Sequence, residues 1–208
     1  MTSSGRELLK WLAVLLMTGD HVAKVIYGGY VPGLSEAGRA AFPLFALVMA
    51  YNLAQPGADL AKAIRRLGLW GLIAQPVHAW VFGYWLPLNI LLTFTLCAVA
   101  VYAIGLRRWG VLVFAAAVLP LFVDYQWAGV GFVLLAWGAF KSRQFWPLLP
   151  AFAGLCWFNG NLWALAAIPV ALVLASVSAP VPRGRWAFYG YYVGHLACLG
   201  LIVLILVP

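Results

Sequence analysis

Lys10 and His21 are the two residues in "KWLAVLLMTGDHVAK" whose types and spacing suggest chemistry. If the run is helical, eleven residues make about three turns at 3.6 per turn, so both side chains fall on one face. They then lie roughly 16 Å apart along the axis, at 1.5 Å per residue. An ammonium at one end of such a face can hold an anion, and an imidazole at the other can take a proton or act as a nucleophile. The spacing suits an elongated ligand, anionic at Lys10 and reactive at His21, with the reach of an extended phosphopantetheine arm. On spacing alone a second reading stands beside it: Lys10 snorkels to an interface and His21 bonds a neighbouring helix. Asp20 points about 100° away from His21 on a helix and cannot readily hold its ring. It does reach Lys24 at i+4, where a local ion pair accounts for both. A functional Asp20 would orient a group from another helix or poise a proton.

Other polar residues interrupt apolar stretches. Arg39 opens "GRAAFPLF", Gln75 and His78 share a face at i, i+3 in "AQPVHAW", and Asn89 starts "NILLTFTL". Tyr191, Tyr192 and His195 cluster in "YGYYVGHLACLG". Taken singly, each reads first as a helix–helix hydrogen bond. The three histidines lie in separate segments with no short His/His or His/carboxylate ligand spacing, so no metal is expected. Cys97, Cys156 and Cys198 all sit inside apolar runs, which argues against a disulfide framework.

The elements that must position these residues follow from composition. Of 208 residues, 65% are hydrophobic and only 9% charged, with a mean hydropathy of +0.97. A soluble domain of this length could not hide so much apolar surface, so the reading is an all-α, polytopic integral membrane helix bundle. The net charge of +8 is then expected to set membrane orientation rather than to mark a nucleic-acid partner. Apolar runs between breakers and charges predict about nine transmembrane helices (between eight and ten), at 8–27, 40–55, 67–86, 88–105, 109–123, 127–140, 145–158, 161–178 and 186–207. Alternate connections carry all thirteen Lys and Arg except Lys24 and Arg39. The positive-inside rule therefore predicts a cytoplasmic N-terminus and a periplasmic C-terminus. Several of these segments are shorter than the roughly 20 residues a crossing needs, and a re-entrant pair over 109–140 satisfies the same charge pattern. Asp20, His21 and Lys24 stand where a signal-peptide cleavage site would be, so the first segment reads as an uncleaved span. No repeat or linker divides the chain, and 1–208 reads as one domain.

The stretches "LLKWLAVLLMTGDH", "GRAAFPLFALVMAY", "RRLGLWGLIAQP", "LNILLTFTL" and "YYVGHL", in this order and spacing, resemble the TraX family of conjugative-pilin acetyltransferases, or fimbrial acetylases. That family is related to the acyltransferase family 3 membrane enzymes, whose first helix carries a basic residue, ten residues, then a histidine; Lys10 and His21 match this pattern. One departure is visible: the family's Tyr-Pro-x-His-Leu is here Tyr192-Val193-Gly194-His195-Leu196. The resemblance implies a multi-pass protein of the bacterial inner membrane that moves acetyl from cytoplasmic acetyl-CoA to the N-terminal amine of processed conjugative pilin. It implies that Lys10, Arg65 and Arg66 bind the donor phosphates. His21 would serve as general base or transient acetyl carrier, with Asp20, His195 and Tyr192 assisting, and Arg39, Gln75 and Asn89 steadying the thioester oxygen or the acceptor backbone. The competing expectations are an acetyl-CoA-dependent O-acetyltransferase of a sugar or lipid, and a non-enzymatic scaffold of a secretion system.

Overall fold

The structure is a computed structural model and describes residues 1–181, 184 and 186–206. Arg183 and Arg185, expected in a cytoplasmic connection, lie outside the described residues, as do Val207 and Pro208. The described chain is all-helical, with no strand and one isolated bridge between Leu88 and Val123.

Capping decides where the polar residues fall. Helix α1 (Ser3–Val25) begins at Thr2, whose hydroxyl accepts from Gly5 N–H at 2.9 Å. Arg6 and Lys10 are thus inside the helix, about four and three turns before His21. Helix α2 (Leu34–Gly38) is a single turn inside what reads from sequence as a plain outer connection. Glu36 folds it back by accepting from Gly33 N–H. Helix α3 spans Ala41–Ala54. Helix α4 (Leu60–Phe82) starts seven residues earlier than its apolar run, because Asp59 caps the Lys62 N–H at 2.9 Å. Lys62, Arg65 and Arg66 consequently belong to its first turns and not to a connection. It ends where Gly83 takes the left-handed conformation, φ +76°, which a Cβ would disfavour.

Helix α5 (Ile90–Gly105) is capped by Asn89. The predicted helix at 109–123 is present but changes winding: α6 (Trp109–Val113) runs into a π turn at Phe114–Val118 and a 3-10 turn at Leu119–Phe122, where Pro120 supplies no N–H. Then follow α7 (Gln126–Ser142), α8 (Leu148–Asn159), a 3-10 turn at Trp163–Ala166, α9 (Ala167–Leu174) and α10 (Ala187–Leu206). Every predicted segment therefore has a helical counterpart. By length and composition, however, only Leu34–Ala54 and Ala187–Ile205 are long and apolar enough to cross a membrane among the described residues. Helices α1 and α4 miss that mark because they carry the ionisable residues of interest.

Helix α1 packs on α3 and α10, and α4 on α5 and α10. Arg6 of α1 reaches Asn52 near the end of α3 at 2.7 Å, whereas Asp20 lies against Gly38, just before α3 begins. These two helices are antiparallel. Lys10 stands over Phe188, and His21 meets both Phe82 and His195, so α1, α4 and α10 run in one sense. Gly38 is needed at the crossing, since a Cβ there would strike the Asp20 side chain. The core between the helices is built from alanines of α3 and α5 and a set of stacked rings, with Phe42 and Tyr125 4.1 Å apart. Small residues let backbones approach, and the rings fill what remains.

Candidate functional site

Helices α1, α3, α4, α5 and α10 surround a cavity of about 430 Å³, within the usual range of ligand sites. Lys10, Asn52, Arg66, Phe188 and Tyr189 line one end; Asp20, Lys24, Arg39, His78, Tyr84, Asp124 and Tyr125 line the other. His21 lies on the wall between them, with Tyr192 of α10 also lining the cavity. Lys10 and His21 thus share one face of α1 and open into one space, as their spacing predicts.

The ring of His21 is held from α10. Its Nδ1 is 2.8 Å from Nε2 of His195, and the two rings are parallel within 2°. Nδ1 of His195 is in turn 2.8 Å from the Tyr191 carbonyl. A carbonyl only accepts, so His195 Nδ1 carries a hydrogen and donates it. With His195 neutral, its Nε2 is an acceptor, and His21 must donate from Nδ1. That chain leaves the lone pair on His21 Nε2, with no protein partner among the described residues.

The support continues outward. The Thr18 hydroxyl donates to the Val14 carbonyl at 2.8 Å, so it accepts from the Tyr191 hydroxyl, also at 2.8 Å. The Tyr191 ring stacks on His195 at 5.0 Å. Asp20 is not the group that orients His21, in agreement with the angular argument; its Oδ2 pairs with Lys24 at 2.6 Å.

At the opposite end the cations are partly engaged. Lys10 Nζ is 2.8 Å from Glu7 Oε1 and 4.4 Å above the Phe188 ring. The Arg66 guanidinium lies 5.4 Å over Tyr189. Three buried polar atoms here lack partners among the described residues: Glu7 Oε2, Arg66 Nε and Trp70 Nε1. Such groups are costly to leave unpaired; of the three residues only Arg66 lines the cavity. Arg65 is exposed and does not line the cavity.

Two expected oxyanion groups are placed elsewhere. Asn89 is fully buried, donating to the Gly71 carbonyl and to Gln75 Oε1, both at 2.8 Å, while its own Oδ1 caps Leu91 N–H. Gln75 Oε1 also accepts from Asn89 N–H, and Gln75 Nε2 donates to the Trp85 carbonyl. Their capacity is consumed in clamping α4 to the start of α5, and neither lines the cavity. Arg39 does line it, reaching Asn159 Oδ1 at 3.5 Å.

Sequence reasoning passed over Glu7, Thr18 and Asp124. Glu7 was visible at i−3 from Lys10, the standard spacing for a helix ion pair. Asp124 stood out as a carboxylate in "LFVDYQW" with no basic residue near it in sequence. Among the described residues no group of His, Cys, Asp and Glu is arranged to hold a metal ion.

A family model described as "TraX protein" matches residues 5–203. Two proteins of Escherichia coli, both named "Protein TraX", are similar: one is 39% identical over 93 residues and the other, from strain K12, 34% identical over 93 residues. In each case the match covers 45% of this chain and 37% of the relative, so the chain matches little more than a third of the length of these proteins. No solved structure matches the chain.

Proposed function

The chain belongs to the TraX family, and from that premise we propose that it is a membrane-embedded acetyltransferase. Its donor is acetyl-CoA and its acceptor the N-terminal amine of a processed conjugative pilin, at the inner membrane of a bacterium. The observation that carries this reading is a cavity with basic groups at one end, His21 on its wall with its ring held by His195 from behind, and a mixed charged cluster at the other end.

Lipid as the surrounding solvent is supported by the outer surface. Trp157 is 84% exposed, Ile205 76%, Leu149 75% and Leu172 74%, an apolar exterior of a kind that water would not tolerate at this extent. The shared sense of α1, α4 and α10, with α3 antiparallel to α1, fits nine crossings with the Lys10 end in the cytoplasm.

In this scheme Arg66 and Lys10 bind the donor phosphates, Lys10 exchanging Glu7 for the ligand, and the orphaned Arg66 Nε gains a partner. The donor supplies an acetyl thioester. The acceptor nitrogen attacks its carbonyl carbon, the new C–N bond forms, and the C–S bond breaks. His21 Nε2 takes the proton leaving the nitrogen and returns it to the thiolate. His195 Nε2 accepts from the His21 Nδ1–H throughout, which stabilises the transient imidazolium and holds the ring in place. Proton transfer of this kind contributes about 10²–10⁴-fold to rate.

The test is release of free CoA thiol by the purified protein in lipid vesicles, with acetyl-CoA and an amine-terminated apolar peptide. Release that requires the peptide and disappears in His21→Ala supports the reading. Absence of donor binding and turnover by the wild type would leave the scaffold interpretation in its place.

A further inference from the structure

We propose that Asp124 and His78, together with Asp20, form a subsite that receives a primary ammonium group of the acceptor. The proposal rests on the acyl-transfer reading for the reaction, while the recognition itself is carried by separate observations.

The first concerns the five acidic residues of the chain. Glu7 pairs with Lys10, Asp20 with Lys24, Glu36 accepts from Tyr30 and Gly33, and Asp59 caps α4. Asp124 has no cation bound among the described residues; its side chain accepts only the N–H of Tyr125, at 2.9 Å. Yet its position is tightly held. Its N–H donates to the Leu88 carbonyl at 2.8 Å, Leu88 N–H donates to the Phe122 carbonyl at 2.7 Å, and Thr93 Oγ1 donates to the Asp124 carbonyl at 2.9 Å. The connection before α7, which reads from sequence as an outer turn, thereby fixes a carboxylate on the cavity wall.

Two further polar groups on the same wall lack partners. His78 is 5% exposed and its Nδ1 has none among the described residues. Asp20 Oδ1 is also buried and unpartnered, while Oδ2 holds Lys24. Asp124, Asp20 and His78 all line the cavity, and the last two each add a buried acceptor without a partner, Asp20 Oδ1 and, in the tautomer with its hydrogen on Nε2, His78 Nδ1. An ammonium offers three N–H donors, and a hydroxyl offers one. A hydroxyl would leave two buried acceptors unpaired, the circumstance that gives polar sites their largest discrimination. The nearby cations do not fill the role. Lys24 is turned to Asp20 with 43% of its side chain exposed, and Arg39, also on the cavity wall, donates to Asn159 Oδ1 at 3.5 Å.

The proton balance follows. The bound ammonium gives one proton to a carboxylate of the subsite, which passes it to water at the outer mouth. The amine so formed attacks the acetyl carbon, and its second proton travels through His21 to the departing sulfur. One ammonium and one thioester yield one amide, one thiol and one released proton.

The experiment needs no donor. The purified full-length protein is titrated with an apolar peptide bearing a free N-terminal amine, and with the same peptide carrying a hydroxyl in place of that amine. The wild type is expected to bind the amine at least tenfold more tightly. Asp124→Asn and Asp20→Asn, on separate elements and each checked by thermal unfolding, are expected to cut that preference below about threefold. Equal binding of the two peptides by the wild type, or a full preference surviving in both folded variants, overturns the subsite. If instead the amine preference is present but acetyl-CoA is never consumed, the subsite stands and the acyl-transfer reading falls.

Discussion

Replacing His195 by Phe removes the acceptor for His21 Nδ1–H but keeps an aromatic ring beside Tyr191. His195 is not on the cavity wall, so its effect on turnover passes through His21. In the ground state one hydrogen bond of 2.8 Å is lost. When His21 takes a proton, the same Nδ1–H becomes a charged donor in a buried place with nothing to receive it. A hydrogen bond to a charged group contributes about 1.5–3 kcal/mol, and about 1.4 kcal/mol is a factor of ten in rate. The reduction in kcat is therefore about 10- to 160-fold, with KM for acetyl-CoA changed little because the donor end is untouched. The assay is thiol release at saturating acetyl-CoA, beside a thermal unfolding measurement. His195→Gln, whose Oε1 can still accept from His21, should recover part of the loss, which a purely packing role would not predict. A folded His195→Phe protein with kcat within about twofold of wild type would refute the relay.

Three more outcomes are expected. Lys10→Ala and Arg66→Ala should each raise KM for acetyl-CoA more than they lower kcat, while Arg65→Ala, exposed and off the cavity, should change KM by less than about twofold in the same assay. Asn89→Ala should destabilise the protein by about 2–4 kcal/mol, from a lost helix cap and the buried bonds to Gly71 and Gln75, read as a lowered unfolding midpoint. A reporter active only in the periplasm should be active when inserted at Gly160 and silent at Lys62; the reverse would invert the orientation and the donor side with it.

The helices were legible because apolar runs between charged or Gly/Pro/Asn connections set where a helix can persist, and Thr2, Asp59 and Asn89 shift the ends only by capping. The shared face of Lys10 and His21 was legible for the same reason, since helix period alone relates them. The His21–His195 bond was not. It joins residues 174 positions apart and depends on how α10 is rotated against α1, which no local period encodes. Gln75 and Asn89 were visible as polar residues in apolar runs, but buried polar groups look alike in sequence whether they clamp helices or serve a ligand; only their satisfied hydrogen bonds separate the two. Asp124 was hidden by its connection, whose inward turn is held by Leu88 and Thr93 from another element.

The central claim is transfer of acetyl to an amine through His21, and intact mass spectrometry of the mature pilin tests it most directly. Pilin from cells carrying the wild-type protein should bear an acetyl-sized mass addition on its first residue, and pilin from cells carrying His21→Ala at equal protein levels should lack it. The same acetylated mass with His21→Ala, or the same unmodified mass with the wild type and without it, would contradict the account.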